Sequence, residues 1–189
     1  MGCLQSAYFV GKMWNVDIRQ HGSGNLGTTN ALRVLGKKAG IITFLCDCLK
    51  SVIAFIICYN VFGKSHLMGL YGCLGAILGH DFPFYLGFKG GKGIASTIGM
   101  GFCMVATISP IYWLSAVTGI GGILIKGYVS MGSLMFIVML PVLSAVIHAG
   151  AEVVIITAFL ASLAVYQHRA NIKRIIAGNE NTLFKKKTK

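Results

Sequence analysis

The run GIITFLCDCLKSVIAFIICYN, residues 40–60, is long enough to cross a bilayer as a helix, which takes about 20 predominantly apolar residues. In hydrocarbon only a helix or a closed barrel satisfies its own backbone polar groups, and the run is too long for a barrel strand. Five more apolar stretches follow at 66–79, 94–108, 110–125, 131–147 and 151–167, separated by short polar or glycine-containing breaks. An apolar stub before Lys12 precedes them, with roughly half the length of a full span. The expected fold is all-α: a polytopic integral membrane protein of seven short transmembrane helices, the first truncated, in one membrane-embedded domain over residues 1–189.

Composition agrees. A hydrophobic fraction of 55% with five acidic residues, and a mean hydropathy of +0.73, do not belong to a soluble domain. Yet the net charge is +12, and charges are costly at the centre of a bilayer, so the basic residues must gather in the loops. Numbering the connections alternately, the loops 11–40, 80–93 and 126–130 and the tail from 168 fall on one side. They hold every Lys and Arg except Lys50 and Lys64, which makes that side cytoplasmic. The matching partners are anionic, either lipid headgroups or a phosphorylated substrate. Nucleic acid is excluded because the charges are scattered over several loops instead of lining one face.

On that side lies HGSGNLGTTNALR, His21–Arg33. Its glycines leave backbone N–H groups bare, and Ser23, Thr28 and Thr29 add short donors, a combination that closes around an oxyanion. A helix starting at Thr28 would turn its free N–H groups to the same anion, and Arg33 offers a planar fork. Gly22, Gly24 and Gly27 also fit the dinucleotide fingerprint, but no strand precedes them and Asp47 stands within an apolar span, so that reading fails. A second glycine-rich break, HDFPFYLGFKGGKG, carries Lys89 and Lys92 next to the following span and does not match the P-loop template. Asp47 and Lys50, at i,i+3 inside the long span, are placed to pair.

The six cysteines contain no C-x-x-C and mostly sit in apolar segments, so neither a disulfide nor a metal is expected. The start lacks the basic region and cleavage site of a signal peptide. Met-Gly with Ser6 fits a myristoylation pattern, which the spans make redundant. No Ser-His-Asp spacing or paired carboxylate is visible, and none of the five histidines has an aspartate five positions on. Many cations, with the hydroxyls of Ser130 and Ser133 as further phosphate donors and no evident strong base, suit a phosphorylated or already activated substrate. A transporter of phosphorylated solutes is the rival reading, although it calls for more polar groups at mid-membrane than Asp47 and Lys50. An inactive partner in a lipid-synthesis assembly is the third.

HGSGNLGTTN, then HDFP with FKGGKG, then HRANIKR followed by G-x-E-x resemble, in that order, the motifs of the bacterial acyl-phosphate:glycerol-3-phosphate acyltransferase family. The resemblance runs over residues 6–184. It implies a multi-pass protein of the bacterial inner (plasma) membrane with its active site on the cytoplasmic face. It further implies first acylation in phospholipid biosynthesis, with a fatty acyl group passing from acyl phosphate to the 1-hydroxyl of sn-glycerol 3-phosphate. The products are lysophosphatidate and phosphate. No cofactor and no metal are implied; the partners are the two substrates, membrane lipid and the enzyme that makes acyl phosphate. Matched by motif, Ser23, Gly24, Asn25, Thr29, Arg33, Gly91 and Lys92 bind phosphate, and Ser130, His168 and Asn171 are catalytic.

One stretch departs from the family pattern. Its members begin with a complete helix ending in glycine-serine-isoleucine-proline, where this chain has GCLQSAY. Roughly ten apolar residues reach about 15 Å, half the hydrocarbon thickness. Extending the chain upstream by about a dozen apolar residues, the length that completes a span, should therefore raise the melting temperature or the acyl-transfer rate. Equal values for the two forms mean that the half-helix suffices.

Overall fold

The computed structural model describes residues 1–183; the lysine-rich residues 184–189, which entered the charge count above, lie outside the described residues. Two compact units divide at Ile108. The first holds α1 (Ser6–Met13), α2 (Thr28–Leu35), α3 (Lys37–Val61), α4 (His66–Asp81) and α5 (Ile94–Thr107). The second holds α6 (Trp113–Lys126), α7 (Val129–Val146), α8 (Ala151–Gln167) and α9 (Arg169–Ile176). The described residues contain no strand, and the apolar stretches appear as α1 and α3–α8. On length and apolarity α3, with 25 residues, and α7, with 18, could each cross a membrane unaided. Helix α8, bent by 60° from α9, makes a third only if the two are counted together.

In the first unit α3 is the hub, packed against α1, α2, α4 and α5. Its buried face is small and polar, with Ala39, Gly40, Thr43, Asp47 and Ser51, while Ile41, Leu45, Leu49, Ile53 and Ile56 are exposed. That inversion is what a helix in lipid shows, because small residues let backbones approach and tails solvate the large aliphatics. A Cβ added at Gly72 of α4 would stand 2.6 Å from Ala54 O, and one at Gly99 of α5 would collide with Cys48 O. Larger residues there would push the helices apart. In the second unit α7 plays the same part between α6 and α8.

The loops are as defined as the helices. Ser65 caps α4 by accepting from Met68 N at 3.3 Å, and Ser109 accepts from Ile111 N beside Pro110, where a missing N–H costs nothing. Helix α9 was not legible as a helix in the tail sequence. It begins after His168 and ends at Ile176, and Gly178, with φ +70°, then turns the chain back. Asn179 N then donates to Arg174 O at 2.9 Å, and Leu183 N reaches Gly127 O at 2.9 Å.

The expected pair in α3 is present: Lys50 Nζ donates to Asp47 Oδ1 at 2.9 Å, with both side chains buried. It belongs to a larger network. Lys50 Nζ also lies 2.6 Å from His80 Nδ1 and 3.1 Å from Leu4 O, and Ser6 Oγ donates to Asp47 Oδ1 at 2.9 Å. The start of the chain is thereby tied to α3 and α4. Removing one partner of a buried ion pair leaves a lone charge, at a cost of about 3–5 kcal/mol, whereas removing both avoids that cost. Asp47→Ala and Lys50→Ala should each reduce the folded yield in detergent more than the double replacement does. Losses that simply add would argue against this coupling.

Candidate functional site

The glycine-rich segment is built on Asn30. Its side chain is buried, accepts from Ser23 N at 2.9 Å, and donates to His21 O at 3.1 Å and Ile18 O at 3.3 Å. One amide thus folds residues 18–23 back over the first turn of α2. Gly22 needs its φ of +63°, and a Cβ there would collide with Asn30 Oδ1. Gly24 follows with φ +69°, its N donating to His21 O at 3.0 Å. Leu26, beside it, is buried in a cluster with Ala7, Ile18 and Ala31 that anchors the loop to the helices.

Helix α2 starts at Thr28, as expected, and no side chain caps it. The amides of Thr28 and Thr29 in its first turn have no intrahelical acceptor by construction. Ser23 and Arg33 are exposed, while Gly24, Asn25 and Thr29 are half-buried. Ser23, Gly24, Asn25, Thr29 and Arg33 therefore form one continuous loop–helix element with donors on its surface. Arg19 next to it is already occupied: its guanidinium bonds Asp17 at 2.7 and 2.9 Å. That bond holds the Asp17 carboxyl down at about 2.

The lysine loop is attached to the same unit. Leu86, from the turn Phe84–Leu86, packs on the cluster that holds Leu26. From there the chain doubles back onto the end of α4, with Gly90 N donating to Asp81 O and Gly91 N to His80 O, both at 3.1 Å. Gly91 is buried and Lys92 half-buried, just ahead of α5, while Lys89 is exposed.

In the second unit Ser130 and Asn171 meet on the carboxylate of the G-x-E-x motif, Glu180, to which the sequence reading gives no role. Glu180 Oε1 accepts from Ser130 Oγ at 3.0 Å and from Asn171 Nδ2 at 2.7 Å, and Oε2 accepts from Arg174 Nε at 2.7 Å. Burial raises the carboxyl's pKa, but the bonds from Asn171, Arg174 and Ser130 outweigh it and leave the value below the ordinary one. Glu180 is an ionised clamp and not a base. The signal that could have found it was its position: a lone acid in a cationic tail must be paired.

His168 stands at the bend between α8 and α9 and is buried. Its Nδ1 lies 2.8 Å from Ala164 O. A carbonyl only accepts, so Nδ1 carries a proton. Asn171 follows one helical turn later. Ser133, read from the sequence as another phosphate donor, donates instead to Val129 O in its own helix at 2.9 Å.

A family model described as glycerol-3-phosphate acyltransferase matches residues 1–178. A protein of that name from Thermoanaerobacter sp. (strain X514) is 44% identical over 192 residues, spanning 98% of this chain and 92% of the relative. One from Halalkalibacterium halodurans is 40% identical, over 99% and 92% of the two chains. Among solved structures, the fold is similar to PlsY (YgiH), an integral membrane glycerol 3-phosphate acyltransferase, in its glycerol 3-phosphate form. That match has a TM-score of 0.88 at 34% identity and covers 97% of this chain and 90% of that one. The lysophosphatidic acid form of PlsY matches with a TM-score of 0.85 at 33% identity, over the same shares of the two chains.

Glu180→Gln should loosen the Ser130–Asn171–Arg174 cluster and lower the melting temperature at neutral pH by removing the charged acceptor. Because the folded pKa is depressed, the carboxylate's contribution is complete above the unfolded value of about 4.3 and fades as pH falls through the lower folded value. The gap between wild type and variant should shrink on acidification through that range. A gap independent of pH would show that the charge does not matter.

Proposed function

The chain belongs to the glycerol-3-phosphate acyltransferase family, and on that premise we propose that it transfers a fatty acyl group from acyl phosphate to the 1-hydroxyl of sn-glycerol 3-phosphate. The products are lysophosphatidate and inorganic phosphate. The observation that carries the reading is the loop–helix element folded by Asn30, with the uncapped first turn of α2 and the exposed Arg33 on one continuous segment. Such an element recognises a phosphoryl group by shape and charge. Arg33 supplies the planar fork, Lys92 a second point charge on its glycine-held loop, and the Thr28 and Thr29 amides at the start of α2 the short contacts.

The choice of donor rests on the lack of a strong base. Among the described residues the acid beside Ser130 and Asn171 is Glu180, already bonded by three donors. Acyl phosphate is a mixed anhydride with a good leaving group and needs little base assistance. The acceptor hydroxyl oxygen attacks the acyl carbonyl carbon, the bond from that carbon to the phosphate oxygen breaks, and phosphate departs with the electron pair. The hydroxyl proton ends on the released phosphate, and His168, with Asn171 one helical turn away, orients that hydroxyl during transfer. Ser130 donates to the developing negative charge. The family match extends over both compact units, which supports one acyltransferase domain. The charge asymmetry of the loops supports a bacterial inner membrane location with the chemistry on the cytoplasmic face, open to the enzyme that supplies acyl phosphate.

Purified protein given only acyl phosphate and glycerol 3-phosphate should release one phosphate per lysophosphatidate formed, and acyl-CoA should not replace the donor. Arg33→Ala and Lys92→Ala should each lower kcat/KM by about 2 kcal/mol or more, the scale of a lost charge-assisted contact. Near-normal kinetics in well-folded Lys92→Ala protein would remove that residue from the site.

A further inference from the structure

The buried network of Asp47, Lys50 and His80 takes no part in the chemistry above, yet it ends against the loop that carries Lys92. An ammonium group only donates, so with Lys50 Nζ 2.6 Å from His80 Nδ1 the ring accepts at Nδ1 and keeps its proton on Nε2. Nε2 faces Gly91: a Cβ there would collide with Nε2 and stand 2.7 and 2.8 Å from the neighbouring ring carbons. The backbone of residue 91 therefore lies directly against the imidazole edge.

The same histidine holds the loop through its main chain. His80 O accepts from Gly91 N at 3.1 Å and from Gln5 Nε2 at 2.8 Å, while Asp81 O takes Gly90 N. A Cβ at Gly90 would collide with His80 O. On the far side of Lys92, Gly93 has φ +70°, and a Cβ there would stand 2.9 Å from Ile77 and 3.0 Å from Asp81 Oδ1. Lys92 thus sits between two glycines that both lie on the last turn of α4. That turn is fixed in rotation by the bond from Lys50, itself fixed by Asp47 Oδ1 at 2.9 Å and Leu4 O at 3.1 Å.

We infer that His80 is a positioning residue for the Gly90–Lys92 loop, with Lys50 and Asp47 holding its ring, and that the network thereby sets where the Lys92 ammonium meets phosphate. The inference rests on the phosphate role proposed for Lys92. An apolar side chain at position 80 would fill the volume, but it would give Lys50 no acceptor and the glycine backbone no oriented edge. An ion pair inside a membrane protein is costly to keep, and this one is used for orientation.

The test is a double-mutant cycle on purified enzyme. His80→Asn retains a polar group in reach of Lys50 and removes the ring edge under Gly91. It should leave the melting temperature close to wild type and raise KM roughly tenfold, within the range for coupled neighbours, for whichever substrate Lys92→Ala affects. In the Lys92→Ala background the same change should alter that KM less than about twofold. Multiplying effects, or a lowered melting temperature with KM unchanged, would mean that His80 only stabilises the fold. A second pair decides the matter where His80→Asn does not fold. Gly91→Ala should raise the same KM, and adding His80→Ser, which vacates the space that the new methyl needs and keeps a polar side chain at position 80, should bring it part of the way back down. A double variant worse than Gly91→Ala overturns the inference. Normal KM in Lys92→Ala overturns the phosphate reading and this inference with it, whereas a normal His80→Asn beside an impaired Lys92→Ala overturns the inference alone.

Discussion

A buried ammonium needs acceptors, and in the first unit the one on Lys50 finds three: a carboxylate, an imidazole nitrogen and a main-chain carbonyl. In a helix whose outward face is isoleucine and leucine, no water is at hand to do that work. Satisfying Lys50 fixes the start of the chain, the register of α3 against α4, and the end of α4 in one arrangement. The helices of this unit approach closely enough for the contacts only because their shared faces carry glycine, alanine and serine. Packing and charge satisfaction are the same requirement seen at two scales.

The polar segments follow a similar rule. Each is organised by one buried polar side chain that spends its capacity on its surroundings and leaves other donors outward. Asn30 closes the glycine loop with three bonds, and Glu180 gathers Ser130, Asn171 and Arg174. Both residues spend most of their hydrogen-bonding capacity inside the protein. Their value lies in holding others still, which is where preorganised sites gain most of their effect.

Much of this was legible from sequence because it depends on local properties. Apolar length located α3 to α8 within a few residues, glycine and hydroxyl density located the loop that Asn30 folds, and i,i+3 spacing found Asp47 with Lys50. The misses share a cause. Asn30, His80 and Glu180 act through partners that are distant in sequence or across a reversed chain, and spacing carries no trace of those bonds. Glu180 meets Ser130 only because Gly178 turns the tail back toward Gly127. Helix α9 was hidden because it is amphipathic and short, without the apolar signal that marked the others. Ser133 shows the opposite error: a hydroxyl in a polar break looked available, but in a helix it bonds the carbonyl four residues back.

The central claim is that the glycine loop after α1 grips phosphate through its backbone. Magnetic dipolar coupling between the phosphorus of bound glycerol 3-phosphate or acyl phosphate and the amide nitrogens of isotope-labelled glycines, in protein reconstituted in lipid, reads that contact directly. Strong dephasing of the Gly27 amide, next to the uncapped first turn of α2, weakened in Arg33→Ala protein, is the predicted result. Tight binding of both substrates with no phosphorus coupling to any glycine between Gly22 and Gly27 would contradict it.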